Sequence, residues 1–214
     1  MLKSPRPKHP LNSGFTLVEL VVTVSIVAIL ATVAVPNFRN FVLNNRIKAT
    51  SQELLRTLQT ARSEATKQQI NPVNQSIPVN TVVCLTNSAT TCITGNTKAN
   101  GWILFYDFNN DWTYGSGDTL IKIYTLPSTY ISVLSDGAKR VSFSKTGFTT
   151  VGSGTSPQIN SSGFVICDAR GNAVSSGSLS VARGISVSGT GRASITDSQS
   201  NISSLISASG QSCT

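Results

Sequence analysis

Few residues in this chain have the type and spacing to do chemistry, and most point to structure rather than to reaction. Its cysteines are Cys84, Cys92, Cys167 and Cys213. An even number suits an exported chain in an oxidising compartment, where they pair as two disulfides. Three pairings are possible; the nearest-neighbour one, Cys84 with Cys92 and Cys167 with Cys213, would close a short loop and tether the C-terminus. No C-x-x-C spacing occurs and the single histidine is His9, which leaves a zinc site without support. Asp107, Asn109 and Asp111, with Asp118 following, match positions 1, 3, 5 and 12 of an EF-hand calcium loop. Trp112 stands where that loop takes glycine, however, and Asp118 replaces its bidentate glutamate. A polar turn between two strands is the simpler expectation, with a calcium site as the alternative. Arg170, Arg183 and Arg192, with Lys139, Arg140 and Lys145, could form a phosphate-binding patch; solvated charges at strand ends are the commoner arrangement. No Ser or Lys sits in a nucleophile motif. The chain reads as a non-enzyme without a cofactor.

The elements that must position these residues follow from composition and pattern. The chain has 214 residues, only 12% of them charged, and a formal charge of +8. That charged fraction is about half the usual quarter, and Ser, Thr, Asn and Gly take its place, as in an exported, loop-rich β domain. Residues 1–14 are short, polar and basic, carrying Lys3, Arg6 and Lys8, and Pro5, Pro7 and Pro10 exclude a stable helix there. From Phe15 to Val35 nearly every residue is apolar, a run of the length that spans a bilayer as a helix, and Glu19 is its only charge. Three lysines and arginines ahead of such a run hold the N-terminus in the cytoplasm.

Pro36 either ends or kinks that helix. Ile47, Ser51, Leu54, Leu58, Ala61 and Ala65 then recur at steps of four and three, the stripe of an amphipathic helix, widened by Leu55. Arg46, Lys48, Gln52, Glu53, Arg56, Gln59 and Arg62 can stay in water. The pattern predicts one helix over about 16–69, roughly 80 Å long at its usual rise. That is too long for a compact domain of this size, so its first half must bury itself in lipid or in other subunits.

Beyond Pro78 the pattern turns to strands over Thr81–Leu85, Gly101–Tyr106, Thr119–Leu126, Tyr130–Leu134, Arg140–Ser144, Gly163–Cys167, Gly184–Val187 and Arg192–Ile195. The Ser-rich segment Asp197–Thr214 would float loose unless Cys213 anchored it. The expected fold class is α+β, a long kinked N-terminal helix packed on an antiparallel sheet.

A secretory signal places its small-residue cut after the apolar run. Here Gly14 precedes it. Ser13-Gly14-Phe15-Thr16-Leu17-Val18-Glu19-Leu20 resembles the prepilin motif of type IV pili and type II secretion pseudopilins. The resemblance implies a pilin fold and a leader, residues 1–14, removed by a membrane peptidase between Gly14 and Phe15. It also implies N-methylation of Phe15, a pairing of Glu19 with a neighbouring subunit's free amine, and Pro36 as the helix-kinking proline. Residues 15–35 would then be the membrane and filament-core helix, 36–70 the amphipathic helix, and 71–214 the β-rich domain. Loss of the leader would leave 14 basic against 9 acidic residues, by subtracting Lys3, Arg6 and Lys8 from 17.

Gly101-Trp102-Ile103-Leu104-Phe105-Tyr106-Asp107, Phe164-Val165-Ile166-Cys167-Asp168-Ala169-Arg170-Gly171 and Ala182-Arg183-Gly184-Ile185-Ser186-Val187 resemble the FimT/FimU/GspH minor pilins. A cysteine near the C-terminus is more similar to the pilus members than to the secretion members. The expected partners are other major and minor pilins, the inner-membrane assembly machinery and a prepilin peptidase. Some FimT-like members bind DNA through a Gly-Arg-x-Arg motif. Gly191-Arg192-Ala193-Ser194 lacks the second arginine, so DNA is an alternative partner. The expected location is the inner membrane with a cytoplasmic N-terminus, then the periplasm and cell-surface filament.

Overall fold

A computed structural model describes residues 14–68, 78–88, 90–93, 97–127, 131–136, 139–150 and 162–213. Lys3, Arg6, Lys8, His9 and Tyr130 fall outside them. The chain divides into two units, residues 1–42 and 43–214; helix α1, Leu17–Lys67, contributes to both and contains Pro36.

In the first unit every described residue up to Phe41 is exposed. The part of α1 it holds is long and apolar enough to cross a membrane. Four of its polar side chains are satisfied by the helix itself. Thr23 donates to the Leu20 carbonyl, Ser25 to Val21, Thr32 to Ile29 and Asn37 to Val33. Such back-bonding is what a polar side chain needs in a helix placed among apolar neighbours. Pro36 has no N–H for the Thr32 carbonyl one turn earlier.

The second unit contains the core. Ile47, Ser51, Leu54, Leu58, Ala61 and Ala65 are all buried along α1, joined by Thr50 and Thr57. Among the described residues ten strands follow: β1 Asn80–Thr86, β2 Gly101–Asp107, β3 Thr119–Thr125, β4 Ile131–Ser135, β5 Arg140–Phe143, β6 Thr149–Thr150, β7 Ser162–Asp168, β8 Val174–Ser176, β9 Leu179–Val187 and β10 Ala193–Ser198. They make two antiparallel sheets rather than one, ordered β3-β2-β1-β5-β6 and β10-β9-β7-β4, with β8 paired to β9.

Period-two alternation divides each sheet between two apolar layers. Val83, Leu85, Trp102, Leu104, Val141 and Phe143 of the first sheet cluster with the α1 stripe, as do Val133, Phe164, Ile166, Ile185 and Val187 of the second. One stretch of helix therefore serves both sheets. Trp102 is anchored on both sides: its Nε1 donates to Thr57 Oγ1 at 3.1 Å, and its ring stacks on Tyr124. The outward-facing Val82, Cys84, Ile103 and Phe105 are covered by Trp112, Tyr114 and Leu120. On the second sheet Leu134, Val165, Cys167 and Ala182 are covered by Ile202, Leu205 and Ile206.

Those three covering residues belong to a second helix, α2, Gln199–Ser209, closed by Gly210 at φ 63°. This corrects the expectation of a loose C-terminal segment held only by its cysteine. The serines of the segment have weak helix propensity and mask an Ile202-Leu205-Ile206 triplet at helical spacing. Gly163 and Gly184 make room for it, since a Cβ on Gly163 would stand 2.2 Å from Leu205 Cδ2.

Both disulfides reinforce these covers. Cys84–Cys92 closes a short loop over the first sheet, and Cys167–Cys213 ties the chain beyond α2 to β7.

Since every buried residue described lies at or beyond Ile47, a fragment beginning at Leu43 is expected to unfold in urea as one cooperative transition. Within it, a Cβ on Gly101 would stand 2.1 Å from the Tyr124 carbonyl oxygen, a backbone atom that cannot swing aside. Gly101→Ala should cost more than about 2 kcal/mol in the same measurement.

Candidate functional site

The N-terminal motif is built around a helix start. Gly14, Phe15 and Thr16 precede α1, and Thr16 caps it: the Glu19 N–H donates to Thr16 Oγ1 at 3.2 Å. Thr16-x-x-Glu19 is thus a capping-box sequence, with the acid in the first turn where the helix dipole favours negative charge. The spacing of Thr16 and Glu19 is the sequence signal of this helix start. Gly14 has nothing within 4 Å of where a Cβ would sit and no positive φ. The fold therefore does not require glycine there.

The acidic turn follows β2. Asp107 is buried, and its two oxygens accept the N–H groups of Asn110 (2.7 Å) and Trp112 (2.9 Å). Both of those residues adopt left-handed backbone, φ 58° and 61°. Trp112 thus takes the conformation for which an EF-hand uses glycine, and the buried carboxylate offsets the strain. Asp118 accepts from the Phe108 and Gly115 N–H groups. Asp111 accepts from Thr113 N–H and from the side-chain amide of Asn109. A ligand oxygen from each of Asp107, Asp111 and Asp118 lies within 4.8 Å of the others, a set that could hold a hard cation. The same atoms organise the turn without one, and Arg140 Nη1 pins it by donating to the Trp112 carbonyl at 2.8 Å.

Burial pushes the Asp107 carboxyl up to about 6, against the pull of its two backbone donors, with Asp118 and Asp111 adding repulsion. Asp118 is raised in the same direction, again first by burial. Glu64 is lowered, chiefly by bonds from Lys67 and Tyr106.

The six candidate cations are not gathered in one patch. Arg170 is held by Asp168 through Nε and Nη2, and its Nη1 donates to Asn44. Arg183 bonds the Ser180 and Ala182 carbonyls near Asp197. Lys139 is buried, and Arg140 serves the acidic turn. Arg192 is exposed and lines a cleft of about 610 Å³ with Gln59, Arg62, Ser63, Thr66 and Thr146. Arg62 reaches from α1 to the Gly147 and Thr190 carbonyls, and Lys145 is exposed on the turn that contains Gly147. The helical pattern places Arg62 on the solvated face and carries no signal of these long-range bonds.

An exposed apolar helix that continues into a helix-on-sheet domain, starting at a Gly-Phe-Thr-Leu-Val-Glu sequence, defines the class of pilin-like filament subunits. The profile described as "Type II transport protein GspH" matches residues 50–193, and the chain belongs to that family. The profile described as "Prokaryotic N-terminal methylation motif" matches residues 10–35. The chain is also similar to the type IV major pilin protein PilA of Myxococcus xanthus (strain DK1622), 41% identical over 54 residues. That match spans 25% of this chain and 24% of the relative, so the chain covers about a quarter of that protein's length. No solved structure matches.

The titration directions set a stability profile. Asp107 binds its proton more tightly folded than unfolded, so its ionisation lowers stability as pH rises from about 4 to 6. The Glu64 contribution is present above its unfolded value and is lost below about pH 4.5. Urea unfolding of the Leu43 fragment in EDTA should therefore be most difficult near the unfolded carboxylate values, at about pH 4 to 4.5. Stability should fall by on the order of 2 kcal/mol towards pH 7, and Asp107→Asn should flatten that fall.

Proposed function

We propose that this family member is a minor pilin of the type IV pilus, inserted in the inner membrane by residues 15–35 and then drawn into the filament, where it helps prime or cap assembly. The observation that carries this is a helix exposed along its whole apolar length, beginning beside a glycine that the fold does not need. Gly14 is then explained by a reader outside the fold, a peptidase that cuts before Phe15 and leaves it to be methylated. Lys3, Arg6 and Lys8 leave with the leader. Glu19 remains four residues from the new amine, near enough in sequence for a neighbouring subunit's N-terminus to pair with it in an apolar filament core. The role is structural, and no catalytic constellation is part of it.

Two further readings each have one observation in their favour. The matched profile is described as a type II transport protein, which supports a secretion pseudopilin built by the same helix. The Arg62–Arg192 cleft, with Lys145 beside it, supports contact with nucleic-acid phosphates during DNA uptake. The C-terminal Cys167–Cys213 bridge and the similarity to a pilus protein favour the pilus. Deletion separates the three: loss of piliation and twitching supports the proposed role, loss of exoprotein secretion the second, and loss of transformation with intact pili the third.

The two roles open to Glu19, helix capping and charge pairing, can be parted by substitution. Glutamine still serves at the third position of a capping box but carries no charge. Glu19→Gln should preserve helix content in detergent and reduce filament incorporation at least tenfold, and Glu19→Val should reduce it equally. Incorporation at the native level for Glu19→Gln would leave capping, not charge pairing, as the function of the acid. Mass spectrometry of the mature chain should begin at N-methylated Phe15.

A further inference from the structure

Among the described residues of the second unit, the β8–β9 hairpin is an exposed feature to which no role above applies. Residues 173–179 are consecutively exposed, with Val174 at 52% and Leu179 at 43%. No charged residue occurs between Arg170 and Arg183. An exposed stretch of small and apolar residues with no charge can leave water at little desolvation cost.

Its place in the unit follows from the contacts of α1. At one end Arg62 bonds Gly147 and Thr190, in the turns next to β6 and after β9. At the other end Arg170, just beyond β7, bonds Asn44. β7 and β9 pair from Ser162 with Val187 to Ile166 with Arg183, so both run along the helix between those two ends. The part of β9 before Arg183, with β8 beside it, continues to the Asn44 end. The hairpin therefore lies at the end of the unit where the chain arrives from residue 42. Arg46 and Lys48 are exposed on α1 at that same end.

On the reading that residues 15–35 span a bilayer, only residues 36–42 separate the apolar run from this unit. Fully extended they reach no more than about 25 Å, whatever path they take, so this end is held within reach of the lipid headgroups. We infer that the β8–β9 hairpin, with Arg46 and Lys48, is a membrane-contacting surface that rests the β domain on anionic lipid before the subunit enters a filament. Val174 and Leu179 would enter the interface while the two cations meet lipid phosphates. Entry into the filament would then have to release this contact.

The four native cysteines are all bonded, so an introduced thiol is the only reactive one. Full-length protein is placed at one copy per nanodisc of phosphatidylethanolamine and phosphatidylglycerol, with a bimane on Val174→Cys or, at the opposite end, on Lys145→Cys. Brominated lipid should quench the first at least threefold more than the second. Arg46→Gln with Lys48→Gln should at least halve that difference. Equal quenching at both sites overturns the proposal. So does preferential quenching or protection that appears only with two copies per disc, which would assign the hairpin to a neighbouring subunit. Failure of the chain to enter nanodiscs at all would instead overturn the membrane-spanning reading on which the inference rests.

Discussion

The buried stripe of α1 from Ile47 to Ala65 is the contact on which the second unit depends. Five apolar side chains and three small polar ones share one helix face, and that face closes against two sheets at once. Each large apolar side chain taken fully out of water contributes about 2 kcal/mol. The helix turns in this segment are therefore held by packing rather than by propensity alone. Trp102 shows how tightly the face is matched, since its one polar atom meets Thr57 within the apolar layer. A threonine at a buried helix position would otherwise carry a cost, and here each group satisfies the other.

The two sheets bury their strands on both faces, which explains why β1, β2 and β7 are almost wholly buried although antiparallel sheets commonly leave one face wet. The outer covers are made differently. Over the first sheet an irregular turn is organised by a buried carboxylate and two left-handed residues. Over the second a short helix sits above two glycines. Each cover is thin, and each has a disulfide beside it that limits how far the unfolded chain can spread.

The first unit obeys the opposite rule. Most of its described side chains are as apolar as the core yet exposed, and three of its hydroxyls turn back onto helix carbonyls. An apolar surface of that extent is stable only among lipid or other apolar helices. The family match gives this surface its setting, because members of the pilin class bring many such helices together. The proposed cut beside Gly14 and the proposed pairing of Glu19 both belong to that setting rather than to the isolated chain.

The one-dimensional pattern was sufficient for the helix, the main strands and the pilin-type start, because each rests on local periodicity or on an unbroken motif. Ile47 to Ala65 could be assigned to the core by spacing alone, and Phe15 to Val35 to an apolar setting by composition alone. Local pattern could not show that α2 exists, since its three apolar residues gain their value only against Gly163 and Gly184. Nor could it divide the six candidate cations: Lys139 is buried, Arg170 is taken by Asp168, and only Arg192 and Lys145 stand open beside Arg62. Trp112 in a glycine conformation is the same case, tolerated because Asp107, five residues earlier, is buried where both its oxygens find backbone donors. Periodicity reports which face of an element is apolar; which side chains satisfy one another across elements is decided only when the chain has closed on itself.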